Sequence, residues 1–248
     1  NYNEGKQVNW LDFLLREGIQ QNHSVGISGG NQKTQFFVNA NFVRQEGIIK
    51  NSDFTRGSIQ INLDHRVNDR FRIGTSTMIS MSKENILNQR SILGQAMTIS
   101  PLGEVYHADG TYRLFPTTEA LSGNPLTDLQ GEKNQRVRTR LFSSIYGEYE
   151  FLKGLKYRVN FGPDLTFEDR GRFIGSNTTQ LQGALNRATS AKADTKAYTL
   201  ENLLTYVRNF GESHKMDVTL LQSMQRQNFT ENVIEAQGLP SEKLLWHD

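Results

Sequence analysis

Residues 155–168 read LKYRVNFGPDLTFE, and the order of these residues decides the fold. Leu155, Tyr157, Val159, Phe161, Pro163, Leu165 and Phe167 are apolar. Between them stand Lys156, Arg158, Asn160, Gly162, Asp164, Thr166 and Glu168, none large and apolar. Successive side chains of a strand point to opposite faces, so the stretch is one long strand with a greasy side and a wet side. Fourteen residues at roughly 3.3 Å each reach about 46 Å, whereas strands of soluble domains cluster near about 5–6 residues. Tilted by about 40°, such a strand crosses the apolar band, roughly 25 Å tall, of a transmembrane barrel. Pro163 cannot donate to the ladder and predicts a bulge.

Working outward, the same alternation recurs. Ile59, Ile61 and Leu63 alternate with Ser58, Gln60, Asn62 and Asp64; Phe71, Ile73, Thr75, Thr77, Ile79 and Met81 oppose Arg72, Gly74, Ser76 and Ser80. Phe36, Val38, Ala40 and Phe42 form another row, as do Leu141, Ile145, Tyr149 and Phe151. Tyr198, Leu200, Leu204 and Tyr206 make the next, then Met216, Val218, Leu220 and Met224. With a first strand from Asn22 to Gly29, eight strands are expected. Short turns at Gly30–Lys33, Arg66–Arg70, Leu152–Gly154 and Phe210–His214 alternate with long connections at 46–55, 84–136 and 171–193. Tight turns at one end and long loops at the other are the layout of outer-membrane barrels, with the long loops extracellular. Tyr149, Phe151, Tyr157, Phe71, Tyr206 and Phe210 gather near the short turns, as an interfacial girdle would. Two helices are expected, Trp10 to Arg16 after an Asn9 cap and Ser91 to Ile99 before Pro101.

Composition is compatible with this. A mean hydropathy of −0.58 and the lack of any run of eighteen apolar residues exclude a transmembrane helix but not a barrel, whose lumen and loops are polar. The net charge of +2 comes from interspersed acids and bases, which gives no nucleic-acid footprint. Cysteine is absent, so disulfides, thiolate metal sites and cysteine nucleophiles are excluded. The chain opens Asn-Tyr-Asn-Glu-Gly, without Met or a signal peptide, and reads as a fragment.

Enzyme chemistry finds little footing. Gly29-Gly30-Asn31-Gln32-Lys33-Thr34 lacks the spacing of a phosphate loop and reads as a turn. His23, His65, His107, His214 and His247 have no ligand spacing, so no metal site is expected. Glu148, Glu150, Glu168 and Asp169 read as lumen-facing acids rather than a glycosidase pair. The chain is expected to be no enzyme and to need no cofactor. The binding candidates are Tyr106, His107, Asp109, Tyr112, Arg113 and Phe115 in the longest connection, with Arg172, Phe173 and Asn177 as a second group. Aromatics suit sugar faces or peptide side chains, and polar neighbours fix orientation. The alternative is that this loop folds on itself or docks a partner.

Residues 21–54, QNHSVGISGGNQKTQFFVNANFVRQEGIIKNSDF, closely resemble the opening barrel strands of the SusC/RagA family of TonB-linked outer-membrane proteins. The match continues through Asn62-Leu63-Asp64-His65, Ile73-Gly74, Ser100-Pro101-Leu102, Tyr106 and Asp109-Gly110-Thr111-Tyr112, and beyond about residue 115 it lies mostly in strand rhythm. The resemblance implies part of a barrel of about twenty-two strands, with residues 1–19 a pre-barrel segment at the plug junction and 20–248 the partial barrel. It implies TonB-dependent import of glycans or peptides in the outer membrane, a SusD-like surface lipoprotein as partner, outer-membrane lipid around the wall, and TonB contacted through a plug that this chain lacks. Two other readings stay open: a self-closed eight-stranded barrel acting as adhesin or anchor, and a soluble carbohydrate-binding sandwich.

Overall fold

The computed structural model describes residues 7–87, 89–117, 122–211 and 213–247. Eight strands form a single antiparallel sheet in chain order. They are β1 (Gln20–Gly30), β2 (Thr34–Glu46), β3 (Asp53–Arg66), β4 (Phe71–Asn85), β5 (Glu132–Leu152), β6 (Leu155–Ile174), β7 (Arg187–Phe210) and β8 (His214–Gln237). Three short helices, α1 (Trp10–Leu14), α2 (Gln89–Thr98) and α3 (Pro125–Gly131), lie outside the sheet. Among the described residues the sheet has no second layer, so it is a wall and not a sandwich. The long connections fall between β2 and β3, β4 and β5, and β6 and β7, all at the same end.

The register turns sequence alternation into two faces. Directly opposed residues share a face, and the row through Phe161 runs Gly29, Phe36, Leu63, Thr75, Ile145, Phe161, Leu200 and Met224. One position along, the row through Asn160 runs Gly30, Gln35, Asp64, Gly74, Tyr146, Asn160, Glu201 and Ser223. The first face is apolar and exposed, with Ile145 at 47%, Phe161 at 39% and Met224 at 60%. A large exposed apolar surface needs a covering medium. At the short-turn end this face is aromatic. Phe71 and Tyr149 lie 6.4 Å apart, Tyr149 and Phe151 5.2 Å, and Phe151 and Tyr157 6.5 Å.

Pro163 does not sit in a bulge. The β5–β6 register is the same on both sides of it, Phe142 with Asp164 and Ile145 with Phe161, and the pairing merely lapses opposite Ser143 and Ser144. The missing donor is absorbed by a local gap rather than an extra residue. The register shift comes instead between Glu150 and Leu152, where Phe151 turns into the hairpin.

The core sits away from the wall, at the long-loop end. Trp10, Leu14, Ile49, Ile92, Ala96, Ile99, Val105, Leu126 and Leu129 form one buried cluster among α1, α2, α3 and the β2–β3 connection. Asn9 caps α1 as expected, accepting from Leu11 N. The Trp10 indole donates to Ser100 O at 3.1 Å and Lys50 N to Leu14 O at 2.9 Å. The chain therefore enters β1 from the long-loop rim. α3 went unforeseen although its signal was present: Asn124 accepts from Leu126 N as N-cap, and Pro125 follows at the first helical position.

Neither outer strand finds a partner across the sheet. β1 pairs with β2 and β8 with β7, and no β1–β8 ladder exists among the described residues. Beyond β8, residues 238–247 return over the apolar-face side of the long hairpins, where Glu242 accepts from Ser176 N at 3.1 Å. The Trp246 ring occupies the space a Cβ on Gly171 would need. Any larger residue at 171 would unseat it.

Candidate functional site at the long-loop rim

The rim is built by the β4–β5 connection. Residues 104–116 double back as a small hairpin, with Glu104 N donating to Pro116 O at 2.9 Å and Arg113 N to Val105 O at 3.0 Å. Its tip is a turn made by local chemistry. Asp109 Oδ1 accepts from Thr111 N at 2.9 Å and Thr111 Oγ1 at 2.6 Å, and Gly110 takes the left-handed φ of 84°. The Thr111 hydroxyl and amide hold the exposed Asp109 carboxyl below its ordinary pKa. Tyr106 and Tyr112 face each other across the hairpin and stack with centroids 5.0 Å apart at 27°.

The aromatic pair is half anchored and half free. Tyr112 packs against the buried helix cluster, and its hydroxyl accepts from Gln130 Nε2 at 3.2 Å. Burial, with a hydrogen bond to the Tyr106 hydroxyl, pushes the Tyr112 pKa up. Tyr106 is 44% exposed. Arg113 pairs with Glu104 at 2.7 Å and donates Nε to Tyr106 O at 3.1 Å. Phe115 is half-buried, and His107 and Asp109 stand exposed at the tip. So the fold brings Tyr106, His107, Asp109, Tyr112 and Arg113 together and spends part of each on the loop itself.

The second group is differently placed. Arg172 directs both Nε and Nη2 onto Glu132 Oε1, at 2.9 and 2.7 Å, and Glu132 is only 3% exposed. Phe173 is 2% exposed, so its ring is packing rather than contact surface, while Asn177 is exposed on the β6–β7 connection. Polar groups that sequence reasoning passed over tie the rim together. Asp128, 1% exposed, accepts from Thr179 N at 2.7 Å, Thr179 Oγ1 at 2.5 Å and Gln95 Nε2 at 3.2 Å. It joins α2, α3 and the β6–β7 connection.

Below the rim the polar face of β5 and β6 is a lattice of paired charges. Arg138 meets Glu168 at 2.5 Å and Arg140 meets Asp164 at 2.7 Å, both through two donors. Arg136 pairs with Glu84, and the Tyr146 hydroxyl with Asp64. The Arg158 guanidinium lies 3.8 Å over the Tyr146 ring. Glu148 and Glu168 thus face the wet side as expected, with arginine or lysine partners rather than each other. Asp169 does not: its odd position turns it to the apolar-face side, 3.9 Å from Lys192. Among the described residues no group of three or more His, Asp or Glu side chains is placed to hold a metal ion.

The chain is similar to known proteins. The chain is 26% identical over 232 residues to TonB-dependent receptor P26 of Formosa agariphila, covering 92% of this chain and 23% of that one. It is 26% identical over 221 residues to TonB-dependent receptor P3 of the same organism, covering 85% and 22%. TonB-dependent receptor SusC of Bacteroides thetaiotaomicron matches over 107 residues at 24% identity, 43% of this chain and 11% of that one. The resemblance to the SusC/RagA family is borne out. Among solved structures, the RagAB peptide transporter superposes with a TM-score of 0.74 at 16% identity, covering 96% of this chain and 28% of that one. The RagAB peptide importer in its closed-closed state gives 0.76 at 17%, covering 97% and 28%. The chain spans less than a quarter of the length of these TonB-dependent receptors from Formosa agariphila. No protein-family model matches it.

Proposed function

We propose that this chain is a sector of the wall of a TonB-dependent outer-membrane importer of oligosaccharides or peptides, with its rim serving cargo or a SusD-like surface lipoprotein. The observation that carries the reading is the two-faced sheet with unpaired edges. Its Phe161 row suits lipid, its Asn160 row suits a water-filled lumen, and open edges are not tolerated in hydrocarbon, so further strands must continue the wall on both sides. A self-closed eight-stranded barrel needs a β1–β8 ladder, which the sheet does not make. On this reading residues 1–19 lead into the barrel and 20–248 are barrel, TonB acts through a plug domain of the whole protein, and Tyr106, His107, Asp109 and Asn177 are the accessible contacts.

The test is made in the whole protein. Replacing residues 106–111 with Gly/Ser spares Val105 and Tyr112, which the buried cluster needs, so the barrel should still insert. Copurification of the surface lipoprotein and uptake of labelled oligosaccharide and labelled peptide are then measured. Loss of copurification assigns the tip to the partner, and loss of one uptake with copurification intact assigns it to that cargo. Full retention of all three in an inserted barrel overturns the binding residues.

A further inference from the structure

The apolar face changes character abruptly toward the long-loop end. Along each strand, the first charged side chain beyond the apolar stretch is Arg44 on β2, Lys83 on β4, Lys133 on β5, Lys196 on β7 and Arg226 on β8. The register puts all of them on the face that carries Phe161. The two strands with an acid at this boundary have it countered. Asp53 on β3 pairs with Arg16 at 2.5 Å, and Asp169 on β6 lies 3.9 Å from Lys192. Arg44 and Lys196 have acids on their own strands, Glu46 at 2.9 Å and Asp194 at 3.6 Å. Lys83 and Arg226 form no ion pair among the described residues, and both are exposed. The opposite margin of the same face is aromatic, with Phe71, Tyr149, Phe151 and Tyr157.

We infer that these cations form a basic collar that binds net-anionic phospholipid headgroups in the leaflet on the long-loop side. The inference rests on the barrel reading above and adds a ligand to its outer surface. Side chains at this level leave the apolar band pointing outward, where only headgroups or water can meet them. Long cationic side chains reach into the headgroup layer from strands whose next inward residues, Phe42, Met81, Tyr198 and Met224, lie in the apolar band. The margin's charge is complementary to phosphate, and a neutral headgroup would leave Lys83 and Arg226 without a counter-ion. A basic residue near an anionic lipid surface gains about fivefold in binding.

The whole protein is reconstituted into nanodiscs of equimolar phosphatidylglycerol and phosphatidylcholine, and retained lipid is weighed by native mass spectrometry. Wild type should retain phosphatidylglycerol preferentially, and the quadruple variant R44Q/K83Q/K196Q/R226Q should lose that preference at least about fivefold while heat-modifiable migration shows it inserted. An inserted variant with undiminished preference overturns the collar, as does a wild type with none. If the variant fails to insert, salt decides on wild type. Raising it from about 0.1 M to about 1 M shortens the Debye length from roughly 10 Å to 3 Å and should abolish the preference; persistence overturns the collar. Displacement of the lipid by inorganic phosphate at low salt would mark a free-anion site and overturn the lipid assignment. A wild type that inserts into no bilayer refutes the barrel reading instead.

Discussion

Phe161 and Asn160 are neighbours in sequence and opposites in environment. Phe161 stacks on Tyr198 with centroids 6.1 Å apart on the apolar face, whereas Asn160 donates to Glu201 at 3.2 Å on the polar one. Phe161→Arg should cost about 2–4 kcal/mol in a bilayer, the range for a cation at the midplane of a barrel wall, and Asn160→Arg well under 1 kcal/mol. Urea titration of the refolded barrel in lipid measures both, and equal tolerance would remove the membrane assignment. Arg172→Met tests a different effect, because it strands the buried Glu132 carboxylate. Removing one partner of a fully buried pair costs roughly 3–5 kcal/mol. Arg172 is 40% exposed and Gln180 Nε2 still donates to Glu132 at 3.0 Å, so about 2 kcal/mol is expected on the same titration. Asp109 supplies the pH test. Its pKa is lowered in the folded hairpin, so its contribution is full above the ordinary carboxylate range and is lost as pH falls through the folded value. The protection factor of the Thr111 amide, taken relative to intrinsic exchange at each pH, should fall in acid, and Asp109→Asn, which keeps an acceptor oxygen, should remove that pH dependence without opening the turn.

The strands were legible because each carries its own period. From Leu155 to Glu168 every second residue declares its face, and β6 runs through that whole stretch. The turns were equally local, since Asn31 accepts from Lys33 N and Thr34 N, and Asn68 from Arg70 N and Phe71 N. What escaped notice depends on partners far along the chain. Asp128 is read through Thr179, and Glu132 through Arg172, contacts that no periodicity announces. The aromatic–polar cluster around Tyr112 was picked out by residue type, yet type alone does not say how much of each side chain the hairpin uses for itself. Phe173 shows the limit: its alternation with Gly171 fits a strand, yet it is 2% exposed on a face that elsewhere stands open. Gly171 extends the point. With Trp10→Phe leaving Trp246 as the sole tryptophan of this chain, Gly171→Leu should red-shift the tryptophan emission as the ring leaves its seat, and an unchanged spectrum would show that the segment 238–247 does not pack there.

Across the whole molecule, open edges and one-sided loops make two further demands. Expressed alone, this chain should associate through β1 and β8 rather than stay monomeric in detergent, because both strands present unpaired backbone groups. Light scattering after size exclusion gives the answer, and a homogeneous monomer would favour closure. This sector carries no cysteine, so sidedness labelling on intact cells is made in the whole protein with any cysteine elsewhere replaced. Asp109→Cys and Asn177→Cys should react with an impermeant maleimide, and Lys153→Cys, in the β5–β6 turn, only after the outer membrane is breached. The strands also lengthen across the sheet, from 11 residues in β1 and 15 in β4 to 24 in β7 and β8. The difference, 24 − 11 = 13 residues, at about 3.3 Å each and a tilt of about 40°, amounts to roughly 33 Å of height. The doorway of this wall is therefore cut on a slant, a low sill at β1 and a tall parapet at β8. Strands joining β1 and β8 meet edges of very different height, so any wall that continues this sector has to absorb the slant on either side.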